Sequence, residues 1–190
     1  MSSHPGDSRR GRRSPHEFRS RGKDERRHRF QNKKGLTTVR KAVRYLLSEY
    51  DRMLEEQAHA LMFLGEAVAL REHQKQLTDA SYHRDAYSVY SEDVSKEIGS
   101  MNLPSRTVYR GEHQVPIYDT RSVSEPDIED SASDILDNVN SSVGDMSTNE
   151  IVEMCRQIPG VRRARLKETI DLSPGILSVP IDQLRNQINK

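Results

Sequence analysis

A chain of 190 residues with 33% hydrophobic and 31% charged residues, no Trp and a mean hydropathy of −0.86 offers too little apolar surface for one packed core of that size. Its net charge of +1 hides two blocks: residues 1–34 carry twelve Lys/Arg against four Asp/Glu, and residues 101–149 carry three against nine. The single cysteine, Cys155, excludes an internal disulfide framework and a multi-thiolate zinc site, and none of the seven histidines stands in an H-E-x-x-H or C-x-x-C pattern.

Residues 1–35 read as a disordered basic arm. A loose duplication runs through it, His16-Glu-Phe18-Arg19-Ser-Arg21-Gly-Lys23 followed by His28-Arg29-Phe30-Gln-Asn-Lys33-Lys34-Gly35. Cations neutralise phosphates and Phe offers a stacking face for an unpaired base, which suits single-stranded RNA or DNA. The candidate nucleic-acid-binding residues are Arg9, Arg10, Arg12, Arg13, Phe18, Arg19, Arg21, Lys23, Arg26, Arg27, Arg29, Phe30, Lys33 and Lys34. The run Arg9-Arg10-Gly11-Arg12-Arg13 serves equally as an import signal. The arm lacks the apolar stretch of a signal peptide.

Residues 36–101 are predicted as a helical oligomerisation region. With Leu36 at heptad position a, Val39, Val43, Leu46, Tyr50, Met53 and Leu64 fall on a and d, and Leu47, Leu54, Leu61 and Val68 form a stripe at e. A helix over 36–73 spans roughly 57 Å at 1.5 Å per residue. Its face exceeds what the weaker stripe from Tyr82 to Met101 covers, so a homo-oligomer is expected, built from one long helix or an αα-hairpin. The longest apolar run, Ala58–Leu70, contains His59 and Glu66 and falls short of the roughly 20 residues of a membrane span. An intracellular protein of the cytoplasm or nucleus is expected.

Residues 102–146 read as an acidic Ser/Pro-containing linker, in which 133–137 can become a short amphipathic helix on binding a partner. Thr107-Val-Tyr109 and Val115-Pro-Ile-Tyr118 are short extended pieces, too few for a stable sheet. Arg121-Ser122-Val123-Ser124-Glu125-Pro126 resembles the ligand motif of the 14-3-3 proteins, which implies binding when Ser124 is phosphorylated. Ser14, after Arg12-Arg13 and before Pro15, and Ser131, three residues before Asp134, are further phosphorylation candidates.

Residues 147–190 are predicted as a small three-helix module that binds a protein partner of unspecified identity. Ser147-x-x-Glu150 has the form of a capping box, and Pro159-Gly160 ends the first helix. The second, about 161–170, carries Arg162, Arg163, Arg165 and Lys167, and the third starts near Ser178 with Ile181, Leu184 and Ile188 on one face.

The fold class expected is mostly α, a coiled coil or helical bundle plus the small module. No nucleotide loop, nucleophile elbow or paired carboxylates on a scaffold occur, so no enzyme, cofactor or metal site is expected. The leading reading is a self-associating RNA-binding adaptor. In layout it looks like accessory phosphoproteins and nucleocapsid-associated proteins of RNA viruses. One rival is a scaffolding protein whose arm is only an import or acidic-surface signal. The other is a DNA-binding regulator, although Pro5, Gly11, Pro15 and Gly22 break a continuous basic helix.

Overall fold

The computed structural model describes residues 35–86, 88–173 and 180–188. Helix α1 (Val39–Ser48) begins where Thr38, in extended backbone, accepts from the Lys41 N–H at 3.3 Å. It buries Ala42, Val43, Tyr45, Leu46 and Leu47. The helix ends without Gly or Pro. Glu49 and Tyr50 donate to the carbonyls of Leu46 and Leu47, each three residues back, and Ser48 Oγ donates to Tyr45 O at 2.7 Å. The tightened turn releases Arg52–Leu54 as strand β1.

Helix α2 (Glu55–His73) is the centre of the molecule, with every residue from Ala58 to Leu70 buried. A helix apolar around its whole circumference must be surrounded by other elements. The coiled-coil expectation is therefore corrected. Met62 and Phe63, at peripheral positions f and g of the heptad, are both 0% exposed. A run in which only His59 and Glu66 are polar satisfies almost any stripe drawn through it, so the a/d/e pattern there carried little information about period. Gln74, at φ 53°, closes the helix in left-handed backbone.

Buried Glu66 then pins the return of the chain. Its carboxylate accepts from Leu77 N at 2.7 Å, Thr78 N at 3.0 Å and Thr78 Oγ1 at 2.6 Å. Onto that loop the entering chain is laid by Leu36 N donating to Gln76 O and Thr37 N to Leu77 O. A Cβ on Gly35 would stand 2.6 Å from Thr78 Cα, so the close approach requires glycine.

Strands β2 (His83–Arg84) and β3 (Val89–Tyr90) pair antiparallel, and helix α3 (Glu92–Ser100) follows from an N-cap at Ser91. Strands β4 (Ser105–Arg110) and β5 (His113–Asp119) form a hairpin whose turn starts at Gly111, φ +60°. Strand β1 pairs with the far side of β5, giving the order β1-β5-β4. The third strand, hidden in a run that reads as helix, is what makes the sheet hold. Pro116 fits within β5 because it lies one residue before the β1 pairing begins at Ile117.

The stretch read as a linker also carries helix α4 (Asp130–Val143), which buries Ala132, Ile135, Leu136, Val139 and Val143 against α1 and α2. Tyr45 Oη donates to Asp137 at 2.8 Å, Tyr50 Oη to Asn140 at 3.1 Å, and Lys41 pairs with Glu129 at 3.3 Å. The acidic residues occupy the outer face of a helix already packed in its own chain, so no partner is needed to fold it.

Helix α5 (Thr148–Gln157) has both halves of the Ser147/Glu150 capping box and packs on α2. A one-turn helix α6 (Pro159–Arg163) replaces the longer second helix expected from sequence. Residues 167–170 instead run along β2, with Lys167 N donating to Arg84 O at 2.7 Å and Ile170 N to Tyr82 O at 2.8 Å. Helix α7 (Ile181–Ile188) rests on α5 and α4. The architecture among the described residues is mixed α/β, seven helices with two small antiparallel sheets, and one hydrophobic cluster draws on all of these helices.

Candidate partner-binding surface

Strand β4 is an open edge. Among the described residues only β5 pairs with it, and Ser105, Arg106, Thr107 and Tyr109 are exposed. The parity of its bonding follows from Asp119 N donating to Pro104 O at 2.8 Å. Alternation along an antiparallel pair then makes Arg106, Val108 and Arg110 the bonded partners of β5. The N–H and C=O groups of Ser105, Thr107 and Tyr109 point outward, three residues offering main-chain bonds to an added strand. The hairpin root is held by Thr120, whose N–H donates to Asp51 O at 3.0 Å and whose hydroxyl donates to Tyr50 O.

Beside the hairpin tip lies a groove of about 700 Å³, lined by Glu56, Tyr109, Arg110, Val152, Arg156 and Ile188 among others. Arg110 crosses it, donating to Glu56 on α2 and Asn149 on α5, and so fixes the tip to the helical body. Tyr109 is 74% exposed, with its hydroxyl accepting from Gln114 Nε2 at 3.0 Å. An exposed tyrosine on a braced strand edge gives a partner a rigid contact at low entropic cost.

Two chemically suggestive groups face inward. His59, 2% exposed, accepts from Ser91 N through Nδ1 at 3.2 Å, which leaves Nε2 to donate to Ser95 Oγ at 3.1 Å. Ser95 in turn donates to Glu55 at 2.7 Å. In a nucleophile relay the hydroxyl proton goes to histidine, whereas here it goes to the carboxylate, so Ser95 is not activated. The His59 ring, 3.7 Å from Glu55, leads the hydroxyls of Ser95 and Tyr118 in holding the Glu55 carboxyl below its ordinary range against the effect of burial. This chain of bonds ties α2, α3 and β5 together.

Cys155 is fully buried, and burial pushes its thiol up to about 12. The native protein is expected to resist iodoacetamide at pH 8 for hours and to be alkylated within minutes in denaturant, read by intact mass. Rapid native labelling would show that α5 opens.

The family model described as Antitoxin SocA-like, Panacea domain matches residues 61–159, just over half the chain. The chain belongs to this family. No curated protein and no solved structure matches it. The Panacea match runs from within α2 to the start of α6 and encloses the β4–β5 hairpin and the α5 wall of the groove. Membership of an antitoxin family implies a cognate toxin as partner. It corrects the reading as an RNA-holding adaptor and as a viral phosphoprotein, a likeness of layout that rested on no shared motif.

The residues singled out in the sequence are dispersed in the Panacea structure. Val43, Leu46, Leu47, Met53, Leu61, Leu64 and Val68 are buried within the chain, and Leu36, Val39 and Tyr50 are half-buried against the same cluster. Leu54 is half-buried in β1. Their apolar surface is covered by the chain's own elements. The nucleic-acid-binding candidates from Arg9 to Lys34, and Ser14, lie outside the described residues. Ser124 is exposed and Ser131 half-buried in the first turn of α4. Around Ser124 the chain turns, with Val123 N donating to Thr120 O at 2.9 Å and Arg121 paired with Asp119. Binding of this segment as an extended phosphopeptide requires release of both. Among the described residues no helix is long and apolar enough to cross a membrane, and no cluster of His, Cys, Asp or Glu is arranged for a metal.

Proposed function

We propose that this protein is the antitoxin of a toxin–antitoxin pair, that it acts by stoichiometric binding of a cognate toxin protein, and that the β4 edge with its adjoining groove is the contact surface. The observation that carries the reading is the match to the antitoxin family over residues 61–159, within which the open edge lies. The contact is of the strand-addition kind, with main-chain bonds at Ser105, Thr107 and Tyr109 and the Tyr109 ring as side-chain anchor. The described residues from Gly35 onward act as one folded unit in this reading.

The test is to identify the stoichiometric protein that copurifies with the tagged full chain, express it alone and follow growth. Growth arrest by that protein, relieved by coexpression of this chain, is expected; a partner that never arrests growth sinks the antitoxin reading.

Thr107→Pro separates edge from fold. It removes an outward N–H while leaving the β5 ladder bonds intact, so stability changes by less than about 1 kcal/mol while partner affinity falls at least about tenfold. Val108→Pro removes a ladder bond and leaves its β5 carbonyl partner unpaired, and is expected to cost about 1–3 kcal/mol. If Thr107→Pro relieves growth arrest as well as the wild-type chain, the edge is not the contact.

A further inference from the structure

We propose that the segment Arg162–Lys167 is a second docking site, one that takes an acidic, leucine-containing segment of a protein partner. It lies just past residue 159, where the family match ends, and so is a feature of this chain beyond what the family model covers. The identity of the partner as the toxin rests on the antitoxin reading, whereas the chemistry of the site does not.

Arg162, Arg163, Arg165 and Lys167 are all exposed, and among the described residues none of their side chains has an ion-pair partner. Glu168, which follows the segment, has its carboxylate taken up by the Arg165 N–H at 2.7 Å. Four cations within six residues, with no ion-pair partner among the described residues, are complementary to an anionic partner.

The backbone that presents them is fixed. Arg84 donates its guanidinium to Ala164 O at 2.7 Å, its N–H to Glu168 O at 2.9 Å, and its carbonyl accepts from Lys167 at 2.7 Å. Lys167 is held at φ 64°, a conformation costly for a residue with a Cβ and maintained here by those bonds. A cation cluster already set in place loses less entropy on binding than one on a mobile tail.

Two features favour a peptide over a nucleic acid or a lipid surface. Leu166, 59% exposed, stands in the middle of the cations, where it meets an apolar side chain and offers no face for a base. Bonds from Glu168 and Ile170 to β2 flank Thr169, so the N–H and C=O of Thr169 point away from β2, open to the main chain of an added strand. Next to Lys167 a cavity of about 410 Å³, lined also by His83, Arg84, Asp85, Tyr90 and Glu92, provides room for a side chain, and its two acidic residues favour the partner's leucine there over its acids.

The test is fluorescence anisotropy with the full chain and a fluorescein-labelled peptide of alternating glutamate and leucine. The variant R162A/R163A/R165A/K167A is compared with R9A/R10A/R12A/R13A, which removes four cations from the arm instead. The expected result is about a ten- to hundredfold loss of peptide affinity in the first variant and a change within about twofold in the second, with wild-type affinity falling as salt rises. Unchanged thermal unfolding of the first variant, expected for exposed unpaired side chains, shows that the fold is intact. Equal affinity in wild type and first variant overturns the site, as does loss confined to the arm variant or no peptide binding by the wild-type chain up to about 1 mM. Tighter binding of single-stranded RNA or anionic vesicles to this same patch overturns the peptide as its ligand. Failure of the antitoxin reading shows separately, as growth arrest that this chain does not relieve.

Discussion

Phe63→Ala is expected to destabilise the protein by about 3–5 kcal/mol, a large part of the roughly 5–15 kcal/mol that holds a domain folded. Phe63 is fully buried on the central helix and meets the Tyr82 ring edge-on at 5.2 Å. Truncation leaves a cavity that helices packed on several sides of α2 cannot close, and it removes the ring contact as well. The prediction discriminates between architectures because position g of a coiled coil is peripheral and its truncation costs under about 1 kcal/mol. Leu36→Ala reverses the comparison: position a is the seam of a coiled coil, but here Leu36 is half-buried at the margin of the core. Urea unfolding of the two variants side by side decides the matter. A larger loss for Leu36→Ala than for Phe63→Ala would contradict a fold centred on α2.

What the sequence disclosed and what it withheld have separable physical causes. Local chemistry was legible. The Ser147/Glu150 box marks the start of α5, and Ile181 and Leu184 lie on the buried side of α7. Periodicity failed where nearly every position is apolar, as in Ala58–Leu70 around His59 and Glu66. Composition failed where acids crowd one face, since α4 carries a clear Ala132, Ile135, Leu136, Val139, Val143 stripe beneath its Asp residues. The hairpin was glimpsed in Thr107-Val-Tyr109 and Val115–Tyr118, but its stability depends on Arg52–Leu54, more than 50 residues away. Whether β4 or β5 is the edge is decided by which side β1 joins. The candidate surface is thus a property of topology that no single segment of sequence encodes.

Raising the pH from about 4.5 to 8 is expected to weaken the wild-type protein by about 3 kcal/mol relative to Glu66→Gln. Burial raises the Glu66 carboxyl from 4.5 to about 7, against three hydrogen bonds that favour its ionised form. Between those two values the unfolded chain has released the proton and the folded one retains it, so stability is full below about 4.5 and declines as pH rises through 7. Gln keeps the shape and cannot ionise, so its stability lacks this slope. Glu55, Asp119, Glu129 and Glu150 are all held low and push the other way, with stability present above their ordinary range and lost as pH falls. They are common to both proteins, so the difference between the two urea midpoints at pH 5, 6, 7 and 8 isolates Glu66. Midpoints that run parallel across that range would show that Glu66 titrates as it does in the unfolded chain. The loop it holds carries Leu36 and Thr37 on the carbonyls of Gln76 and Leu77. Amide exchange at Thr37, Leu77 and Thr78 should therefore accelerate above pH 7 beyond the intrinsic base-catalysed rate in wild type, and follow the intrinsic rate in Glu66→Gln.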